Sequence, residues 1–556
     1  MITVAMYYEK VGASDPVLRS YLHNGKLRHP ELPTINVGRT ANKTLIPIEL
    51  CIIPGGQCKA RFVTPEDTAA IVKYAAVLPE RRMQFLTDTL FKSDTGSNKN
   101  IINTVCDDTV SAAFGLSNVS TTPKAVMAHL LPPAKLLYGN SVTVEPGLKG
   151  QWNMESGKHK FYQIPEGSSR ERKVLFAVFI VAETRPDQQT LPKVNAFIQG
   201  IIDESSKCNL FLQLLIQPTA IKVDSLKPAL IDMKTRGCKI AIIVMNEEGK
   251  YGEFKLISDS LGFLTQNVKL KTVTKNPRGI SSQIALKLNA KLGGMNHILA
   301  SRATNVKKAA DSWQQVPASI SWLFDSPCML VGIDVSHPDK SSDAESIAAV
   351  VGSYHHHHCH HYCYHHCHYH YYHYYHYYHH GVGSLDCYAS QYAAIVSSQK
   401  SRKEMVTSLE DMFLKLLQAF KDRNGGKLPV TIVVYRDGVS EGQYDQVVNI
   451  ELAAIKGSIE LMGCPADSIK VCIVISQKGH NTRLFFEEVN GSLINVCPGM
   501  CIDNRGGTDS IVSTTLPEFY LNSHHAALGT AKPCKYTIVY DEIGLKNSEL
   551  QLLTYW

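Results

Sequence analysis

The sequence predicts an α/β protein of several domains. Two apolar runs, Val174–Val181 and Lys239–Met245, predict strands that are buried on both faces, and helical stretches lie between and after them. Two further runs, Met329–Ile333 and Val430–Tyr435, predict a second set of buried strands. Strands that alternate with helices are typical of layered α/β folds. Since 556 residues are too many for one hydrophobic core, we expect three or four domains.

The bulk composition is that of an ordinary globular protein, with 19% charged and 44% hydrophobic residues. The formal net charge of +7 permits nucleic-acid binding, but so small an excess does not establish it. The fifteen cysteines include no Cys-x-x-Cys pair, which predicts reduced, intracellular thiols. No signal peptide opens the chain and no run of about 20 apolar residues occurs, so we expect no membrane span and no membrane partner.

The N-terminal part of the chain, up to residue 172, carries little chemistry in its pattern. Residues 1–62 are predicted to be rich in strands, and the proline-punctuated run Leu45–Pro54 favours a small barrel over a regular sheet. The stretch Thr64-Pro-Glu-Asp-Thr predicts the start of a helix, because an N-cap residue precedes a proline and two early acids. Residues 63–172 as a whole are interpreted as a structural connector.

Two aspartates follow buried strands in the second half of the chain. Asp334 comes directly after Met329–Ile333, and Asp437 closes a β-branched run about a hundred residues later. Carboxylates at the ends of neighbouring strands can hold Mg²⁺, which prefers hard oxygen ligands, and two such ions can clamp a phosphodiester during hydrolysis. The alternative interpretation is that each aspartate caps a turn. The strand pattern leaves both interpretations open.

Two pairs of basic or aromatic residues have helical spacing in the region of the first strand set. Tyr251 and Lys255 are four residues apart, as are Lys287 and Lys291, so each pair lies on one face of a predicted helix. Several donors that converge on one point are what a phosphate group requires. Lysines on a solvated helix face would give the same spacing, so this pattern has two interpretations.

A low-complexity tract occupies residues 354–380. It contains only histidine, tyrosine and cysteine, and histidine is the commonest of the three. The codons of all three residue types have the form pyrimidine–purine–pyrimidine, and Val351-Gly-Ser before the tract is echoed by Val382-Gly-Ser after it. We interpret the tract as a translated triplet repeat, with opportunistic binding of Zn²⁺ or Ni²⁺ as the alternative. We also expect it to intrude between the strand of Asp334 and the strand that leads to Glu404.

The second half of the chain resembles the PIWI domain of a eukaryotic Argonaute, of the Argonaute branch rather than the Piwi branch. The similarity rests on several long motifs in one order: Gly332–Pro338, Ser346–Ser353, Tyr435–Gln443, Gln477–Phe485, Glu518–Thr530 and Glu549–Tyr555. The resemblance implies the C-terminal part of a small-barrel PAZ domain at 1–62 and a linker at 63–172. It further implies a Rossmann-like MID domain at 173–322 and a truncated, RNase H-like PIWI domain at 323–556.

The function that this resemblance implies is gene silencing guided by a small RNA. The chain would bind guide RNA by its 5′ phosphate and pair it with target RNA, with Mg²⁺- or Mn²⁺-dependent cleavage of the target. The alternative is a guide-binding protein that does not cut and that recruits partners, such as Gly-Trp-repeat silencing proteins. A nuclease or transposase relative of RNase H that uses no guide is a third possibility, which the residues of a phosphate pocket oppose. The expected compartment is the cytoplasm, with the nucleus as the alternative.

The resemblance also implies a set of functional residues. The guide 5′-phosphate pocket would comprise Tyr251, Lys255, Gln266, Lys287 and Lys291. The tyrosine ring would stack on the first base. Phosphates of the early guide nucleotides would meet Lys478, His480 and Arg483, and the guide 3′ end would meet Tyr7.

For cleavage, the resemblance assigns Asp334 and Asp437 as metal ligands and Glu404 as the residue that orients the attacking water. By its composition alone, the segment around Glu404 would be an ordinary first turn of a helix. The resemblance places a fourth ligand, His or Asp in catalytic members, after Trp556. We therefore expect three of four ligands within these 556 residues.

Overall fold

The computed structural model describes most of the chain, in these ranges: 3–38, 43–51, 65–90, 113, 115, 120, 122–152, 159–182, 189–246, 251–299, 320, 326–338, 345–353, 392–504, 511–513 and 515–556. The tract at 354–380 and part of the predicted linker lie outside the described residues. The chain divides into two compact units, Met1–Ala76 and Val77–Trp556. The division falls inside the predicted linker, and the proposed domain bounds stay predictions.

The first unit begins with helices. Its elements are α1 (Val4–Ser14), α2 (Pro16–Tyr21), β1 (Thr34–Asn36), β2 (Leu45–Pro47) and α3 (Pro65–Ala75). The hydroxyl of Thr3 accepts a hydrogen bond from the backbone N–H of Met6, and the carboxylate of Asp15 accepts from Val17 and Leu18. These N-caps start two successive helices. The prediction of a strand-rich start is therefore wrong for residues 4–21, whereas the helix predicted at Thr64 is confirmed by α3.

The antiparallel pair β1 and β2 is the sheet that the structure describes in this unit. A short 3₁₀ turn, Ile48–Leu50, follows β2, and residues 52–64 lie outside the described ranges. The predicted small barrel therefore stays a prediction.

Short elements begin the second unit, before its two large sheets. They are α4 (Pro79–Leu90), β3 (His129–Leu130), β4 (Leu136–Leu137) and β5 (Thr143–Val144). Strand β4 pairs with β5 and with β11 (Ile298–Leu299). Strand β3 pairs with residues Met500 and Cys501 and so forms an edge of the larger sheet. Residues 129–144 of the segment interpreted as a connector are thus paired with strands of the second unit.

A parallel sheet of five strands forms the middle of the chain. Its strands are β6 (Val174–Val181), β7 (Leu212–Leu214), β8 (Thr219–Ile221), β9 (Ile240–Met245) and β10 (Leu264–Lys269), in the order β10-β9-β6-β7 with β8 also on β6. The helices around it are α5 (Thr190–Lys207), α6 (Leu226–Thr235), α7 (Tyr251–Ser260), α8 (Leu270–Lys275) and α9 (Ile280–Lys291). All described pairs in this sheet are parallel.

Both faces of this sheet are covered by apolar packing. Phe176 and Val178 pack with Phe197 of α5 on one face, and Phe179 packs with Leu230 and other side chains on the opposite face. This two-sided burial explains why β6 and β9 are uninterrupted apolar runs. The predicted buried strands and the predicted α/β class are confirmed.

A mixed sheet of nine strands forms the C-terminal half. Its strands are β12 (Cys328–Ser336), β13 (Ser346–Ser353), β14 (Tyr392–Gln399), β15 (Thr431–Asp437), β16 (Lys470–Gln477), β19 (Met500–Ile502), β20 (Glu518–Asn522), β21 (Cys534–Asp541) and β3. The order is β14-β13-β12-β15-β16-β21-β20-β19-β3. Strands β12, β15 and β16 run parallel at the centre, and the flanking pairs are antiparallel. A hairpin of β17 (Phe485–Glu487) and β18 (Leu493–Asn495) stands beside the sheet.

Helices cover both faces of the nine-stranded sheet. On one face, α10 (Leu409–Arg423) and α11 (Leu452–Leu461) pack their apolar stripes on β12 and β15, and α12 (Asn547–Tyr555) packs on the other face. A turn of π-helix, Val447–Glu451, leads into α11. The additional residue of a π-turn changes which side chains face the sheet, and here Glu451 points into the core with 1% of its surface exposed.

The sheet is continuous on both sides of the low-complexity tract. Strand β13 pairs with β14 along its whole length, from Ser346 opposite Gln399 to Ser353 opposite Tyr392. Strand β13 also pairs with β12 along the stretch that contains Asp334. The tract joins the chain at the Ser353 end, opposite the end from which the chain continues to Glu404. The tract itself lies outside the described residues, so the expectation that it intrudes between these strands stays a prediction.

Within the described ranges, no helix combines the length and the apolar character needed to cross a bilayer.

Candidate carboxylate site and nucleic-acid interface

Two carboxylates lie side by side at the ends of the central parallel strands. Strands β12 and β15 pair in register up to Ile333 opposite Arg436, so the next residues, Asp334 and Asp437, stand at the same level. One oxygen of Asp334 accepts the backbone N–H of Val335, and one oxygen of Asp437 accepts that of Gly438, both at 2.9 Å. The sequence prediction that matched strand ends bring these two acids together is consistent with this register.

Glu404 is held at the same end of the sheet by two side chains. Its Oε1 lies 3.1 Å from Nη1 of Arg436, and its Oε2 lies 2.8 Å from Nε2 of His337. Nη2 of Arg436 also donates to the backbone carbonyl of Glu404 at 2.7 Å. The Glu404 side chain is 15% exposed. A loop residue far from His337 in the sequence is therefore fixed beside Arg436, the residue that precedes Asp437.

Arg436 is fully buried and joins Glu404 to a second acid. Its Nε lies 2.9 Å from Oε2 of Glu451, the residue that the π-turn directs into the core. A buried guanidinium requires carboxylate partners in this geometry, because an unpaired buried charge is costly. Arg436, fixed by its ion pair with Glu451 in the core, therefore holds the carboxylate of Glu404 in position.

A hydrogen bond at its second ring nitrogen also fixes the position of His337. Its Nδ1 lies 2.8 Å from Oγ of Ser346, and that hydroxyl also accepts the backbone N–H of Arg402 at 3.0 Å. His337 and Arg436 were not among the sequence-predicted site residues. Their positions within Gly332–Pro338 and next to Asp437 were the signal that could have drawn attention to them.

The donor chemistry of the two aspartates fits a hard divalent cation. Carboxylate oxygens at adjacent strand ends are ligands that Mg²⁺ and Mn²⁺ accept. Across the described part of the chain, however, no group of three or more His, Cys, Asp or Glu side chains is arranged to hold a metal ion. The carboxylate of Glu404 is turned to Arg436 and His337, so the structure brings the three predicted acids to one end of the sheet without forming a closed ligand set.

Lys478, predicted to meet guide phosphates, lies against the acidic site. It follows β16, and its Nζ is 3.2 Å from Oδ2 of Asp437. The hydrogen bond to Asp437 is the main reason that the pKa of Lys478 is raised. The side chain is 69% exposed. The same ammonium group can therefore serve either the carboxylate or an incoming phosphate.

The other two residues predicted on this loop turn partly toward the protein backbone. Nε2 of His480 lies 2.8 Å from the carbonyl of Pro533, and burial lowers the pKa of its imidazole. Arg483 donates to the carbonyl of Thr482 at 2.8 Å. The pKa of Arg483 is lowered, mainly by burial and secondly by the positive charge of Arg82 on α4. These side chains thus lie near Arg82 of the connector, and their contact with guide phosphates stays a prediction.

Three lysines converge at the edge of the five-stranded sheet. Lys291, the last residue of α9, donates to the backbone carbonyl of Thr265 at 2.7 Å. Its pKa is lowered to about 8, first by burial and then by the charges of Lys255 and Lys287. Lys255 on α7 is paired with the buried Asp259 at 2.7 Å. The two other predicted pocket lysines, Lys255 on α7 and Lys287 on α9, therefore lie within electrostatic reach of Lys291.

Tyr251 and Gln266 complete the predicted pocket. Tyr251 is the first residue of α7 and is 49% exposed. Gln266 is buried on β10 next to Thr265; its Nε2 donates to the carbonyl of Asn267, and its Oε1 has no partner among the described residues. An amide has both donors and acceptors, so Gln266 can offer a polar group to a ligand.

Tyr7 lies in the first compact unit, on α1. Its side chain is 51% exposed, and its ring meets that of Tyr8 edge-on with centroids 5.4 Å apart. Its proposed contact with a guide 3′ end stays a prediction.

Comparison with known proteins identifies the family. The Piwi-domain family matches residues 238–380 and 376–556. The chain is similar to Protein argonaute 5 of Arabidopsis thaliana, with 28% identity over 568 residues that cover 96% of this chain and 49% of that protein. The chain belongs to the Argonaute family. It spans about half the length of the curated Argonaute that it matches.

Solved Argonaute structures share the fold. The structure of Kluyveromyces polysporus Argonaute with a guide RNA matches at TM-score 0.66, with 21% identity over 95% of this chain and 55% of that one. The C-terminal lobe of a budding yeast Argonaute matches at TM-score 0.59, with 23% identity over 77% of this chain and 82% of that one. These matches, with the Piwi-domain match, confirm the predicted Argonaute resemblance and RNase H-like fold.

Proposed function

We propose that this Argonaute-family chain acts in small-RNA-guided gene silencing, by binding a guide RNA through its 5′ phosphate and pairing it with target RNA. The observation that carries the proposal is that Lys291, anchored on Thr265, lies within electrostatic reach of Lys255 and Lys287, with the single carboxylate of Asp259 paired to Lys255. Positive charges that lie near one another at a partly buried site repel, and a bound anion offsets that repulsion. The similarity to the Kluyveromyces polysporus Argonaute determined with a guide RNA supports the same conclusion.

The pocket suits a terminal phosphate better than an internal one. A 5′ phosphate carries close to two negative charges at pH 7 and presents three oxygens as acceptors. Lys291 is anchored on the backbone of Thr265, so its ammonium group is preorganised, whereas exposed Lys287 can adjust. The exposed ring of Tyr251 at the start of α7 would stack on the first base.

Cleavage of a paired target is the catalytic extension of this proposal. Asp334 and Asp437 would hold Mg²⁺ or Mn²⁺, which would supply an activated water and neutralise the charge on the leaving oxygen. Glu404 would orient the attacking water. Arg436 and His337 keep the Glu404 carboxylate next to Gly438, and therefore next to Asp437.

A guide-binding protein that does not cleave is the second candidate. The observation that favours it is the separation of the two sites, because the pocket lysines lie on helices packed against the five-stranded sheet and the two aspartates lie on the nine-stranded sheet. Guide binding through the lysines uses none of the three acids. Such a protein would silence target RNA by recruiting partners, with Gly-Trp-repeat proteins as the class to test, in the cytoplasm or in the nucleus.

The guide-binding proposal is tested by comparing 5′-phosphorylated with 5′-hydroxyl RNA of the same sequence in a filter-binding assay. We expect the phosphorylated guide to bind more tightly, and the double variant Lys287→Ala/Lys291→Ala to lose most of that preference. Charge-assisted contacts of about 1.5–3 kcal/mol each set the expected scale. The matched control is Lys271→Ala/Lys275→Ala, which removes two lysines of the neighbouring helix α8. Equal retention of both guides by the unaltered protein would refute the pocket.

Cleavage is tested separately on a guide-loaded protein with a labelled, complementary target and Mg²⁺. Asp437→Ala is expected to abolish cleavage and leave guide retention intact, because Asp437 lies on the other sheet. Guide retention without cleavage by a protein that also carries the expected fourth ligand, His or Asp, would favour the second candidate.

A further inference from the structure

Two lysines lie at the carboxylate end of the nine-stranded sheet, and they are held very differently. Lys535 is 13% exposed and is pinned between Glu441 at 2.9 Å and Glu518 at 3.0 Å. Lys478 is 69% exposed and is held at 3.2 Å by Asp437. Ion pairs at exposed positions are weak, since water competes for both partners. Lys535 is therefore held in place by two carboxylates, whereas Lys478 can move away from Asp437 at a small cost in free energy.

We infer that Lys478 is a tethered counter-ion that competes with a divalent metal for Asp437, and that guide RNA relieves this competition. Asp334 and Asp437 stand at the same level on adjacent strands, and two carboxylates so placed repel each other unless a cation lies between or beside them. The ammonium group of Lys478 supplies that positive charge. A divalent ion on Asp437 must displace it or accept its repulsion.

A nucleic-acid phosphate offers Lys478 another partner. Lys478 is two residues before His480 and five before Arg483, on the loop whose positive groups form the proposed backbone interface. When the ammonium group turns to a phosphate, Asp437 is left for the metal. Because linkage is reciprocal, a guide that removes Lys478 from Asp437 must raise the affinity for metal, and metal must raise the affinity for guide by the same factor. This step rests on the proposed guide binding, whereas the competition between lysine and metal does not.

The competition is tested without RNA, by titrating the full chain with Mn²⁺ and measuring free Mn²⁺ by electron paramagnetic resonance. Lys478→Met keeps the length of the side chain and removes its charge. We expect it to bind Mn²⁺ about three- to tenfold more tightly than the unaltered protein, the scale of one nearby charge in a solvated site. Lys478→Arg keeps the charge and is expected to leave the affinity unchanged. Lys470→Met, at the opposite end of the same strand, is the matched control.

The coupling is tested by repeating the titration with saturating 5′-phosphorylated RNA. We expect RNA to tighten Mn²⁺ binding of the unaltered protein to about the level of Lys478→Met, and to have little effect on that variant. Unchanged or weaker Mn²⁺ binding by Lys478→Met, or no binding by either protein at millimolar Mn²⁺, would overturn the competition. Equal tightening by RNA in both proteins would overturn the coupling. If RNA does not bind at all while Lys478→Met still tightens Mn²⁺ binding, the proposed function fails and the competition stands.

Discussion

Nη1 of Arg436 lies 3.1 Å from Oε1 of Glu404, although Glu404 is on a loop and Arg436 is fully buried in the sheet. The same guanidinium group is held from behind by Glu451 at 2.9 Å. The position of a loop carboxylate is therefore set by the core of the sheet. Any change that disturbs the core pair is expected to move Glu404 as well.

Arg436→Met is expected to destabilise the nine-stranded sheet strongly. It would leave Glu451, 1% exposed, as an unpaired buried charge, and breaking such a pair costs about 3–5 kcal/mol. Hydrogen–deuterium exchange of the amides of β15 measures the loss where it occurs. The control is Arg436→Met/Glu451→Met, which removes both charges and is expected to recover much of the protection. Protection in Arg436→Met within about 1 kcal/mol of the unaltered protein would contradict the assigned pairing.

Gly438→Ala is expected to displace Glu404. Gly438 has φ +87°, and an added Cβ would lie 2.8 Å from Oε1 of Glu404. The left-handed backbone alone costs an alanine about 1–2 kcal/mol. We expect a drop in stability of that size, together with a loss of guided cleavage and unchanged guide retention. Gly442→Ala is the matched control, since an added Cβ there meets nothing within 4 Å. Equal behaviour of the two variants would show that the space beside Gly438 does not matter.

Preference for a 5′ phosphate is expected to weaken as the pH rises above 8. The pKa of Lys291 is about 8, so this side chain is charged at pH 7 and loses its proton through that range in the RNA-free protein. Phosphate binding favours the charged form of Lys291, so above pH 8 this side chain must take up a proton when the RNA binds. The dissociation constant of phosphorylated RNA should therefore rise about tenfold from pH 7 to pH 9, measured by fluorescence anisotropy.

Lys291→Arg is the control for this pH dependence. Arginine stays charged throughout the range. Whatever the absolute affinity of the variant, its dissociation constant for phosphorylated RNA should therefore rise much less between pH 7 and pH 9. A rise of the same size in the variant would assign the titration to another group.

Removal of the low-complexity tract is expected to leave the sheet intact. The tract makes up most of the connection between Ser353 and Tyr392, and its deletion would leave a much shorter segment to close the β13–β14 hairpin. Shortening a loop lowers the entropy cost of closing it, and we expect a gain of about 1 kcal/mol in the stability of β13 and β14. Replacement of the tract by a Gly/Ser segment of equal length should leave the stability near that of the unaltered protein.

Thermal unfolding and exchange protection of β13 and β14 provide the measurement. Loss of the hairpin on deletion would show that the tract contributes contacts of its own. Restored cleavage on deletion, in a protein that does not cleave with the tract present, would support the expectation that the tract intrudes between the strand of Asp334 and the strand that leads to Glu404.

The buried strands and the strand-end acids were accessible from the sequence, because they depend on local pattern. Continuous apolar runs predict strands covered on both faces, and the structure has β6, β9, β12 and β15 at these runs. Helical spacing placed Tyr251 and Lys255 on one helix for the same reason. The helices at 4–21 depart from the predicted strand-rich start, although their N-caps, Thr3 and Asp15, are local signals.

The tertiary structure decided which of these groups meet. Glu404 is far from both His337 and Arg436 in the sequence, and only the strand order β14-β13-β12-β15 brings the three together. The contact between Lys291 and Thr265 joins α9 to β10, and that between Lys478 and Asp437 joins the ends of two neighbouring strands. Such contacts depend on how elements are arranged in space, and the periodicity of a single element carries no information on its neighbours.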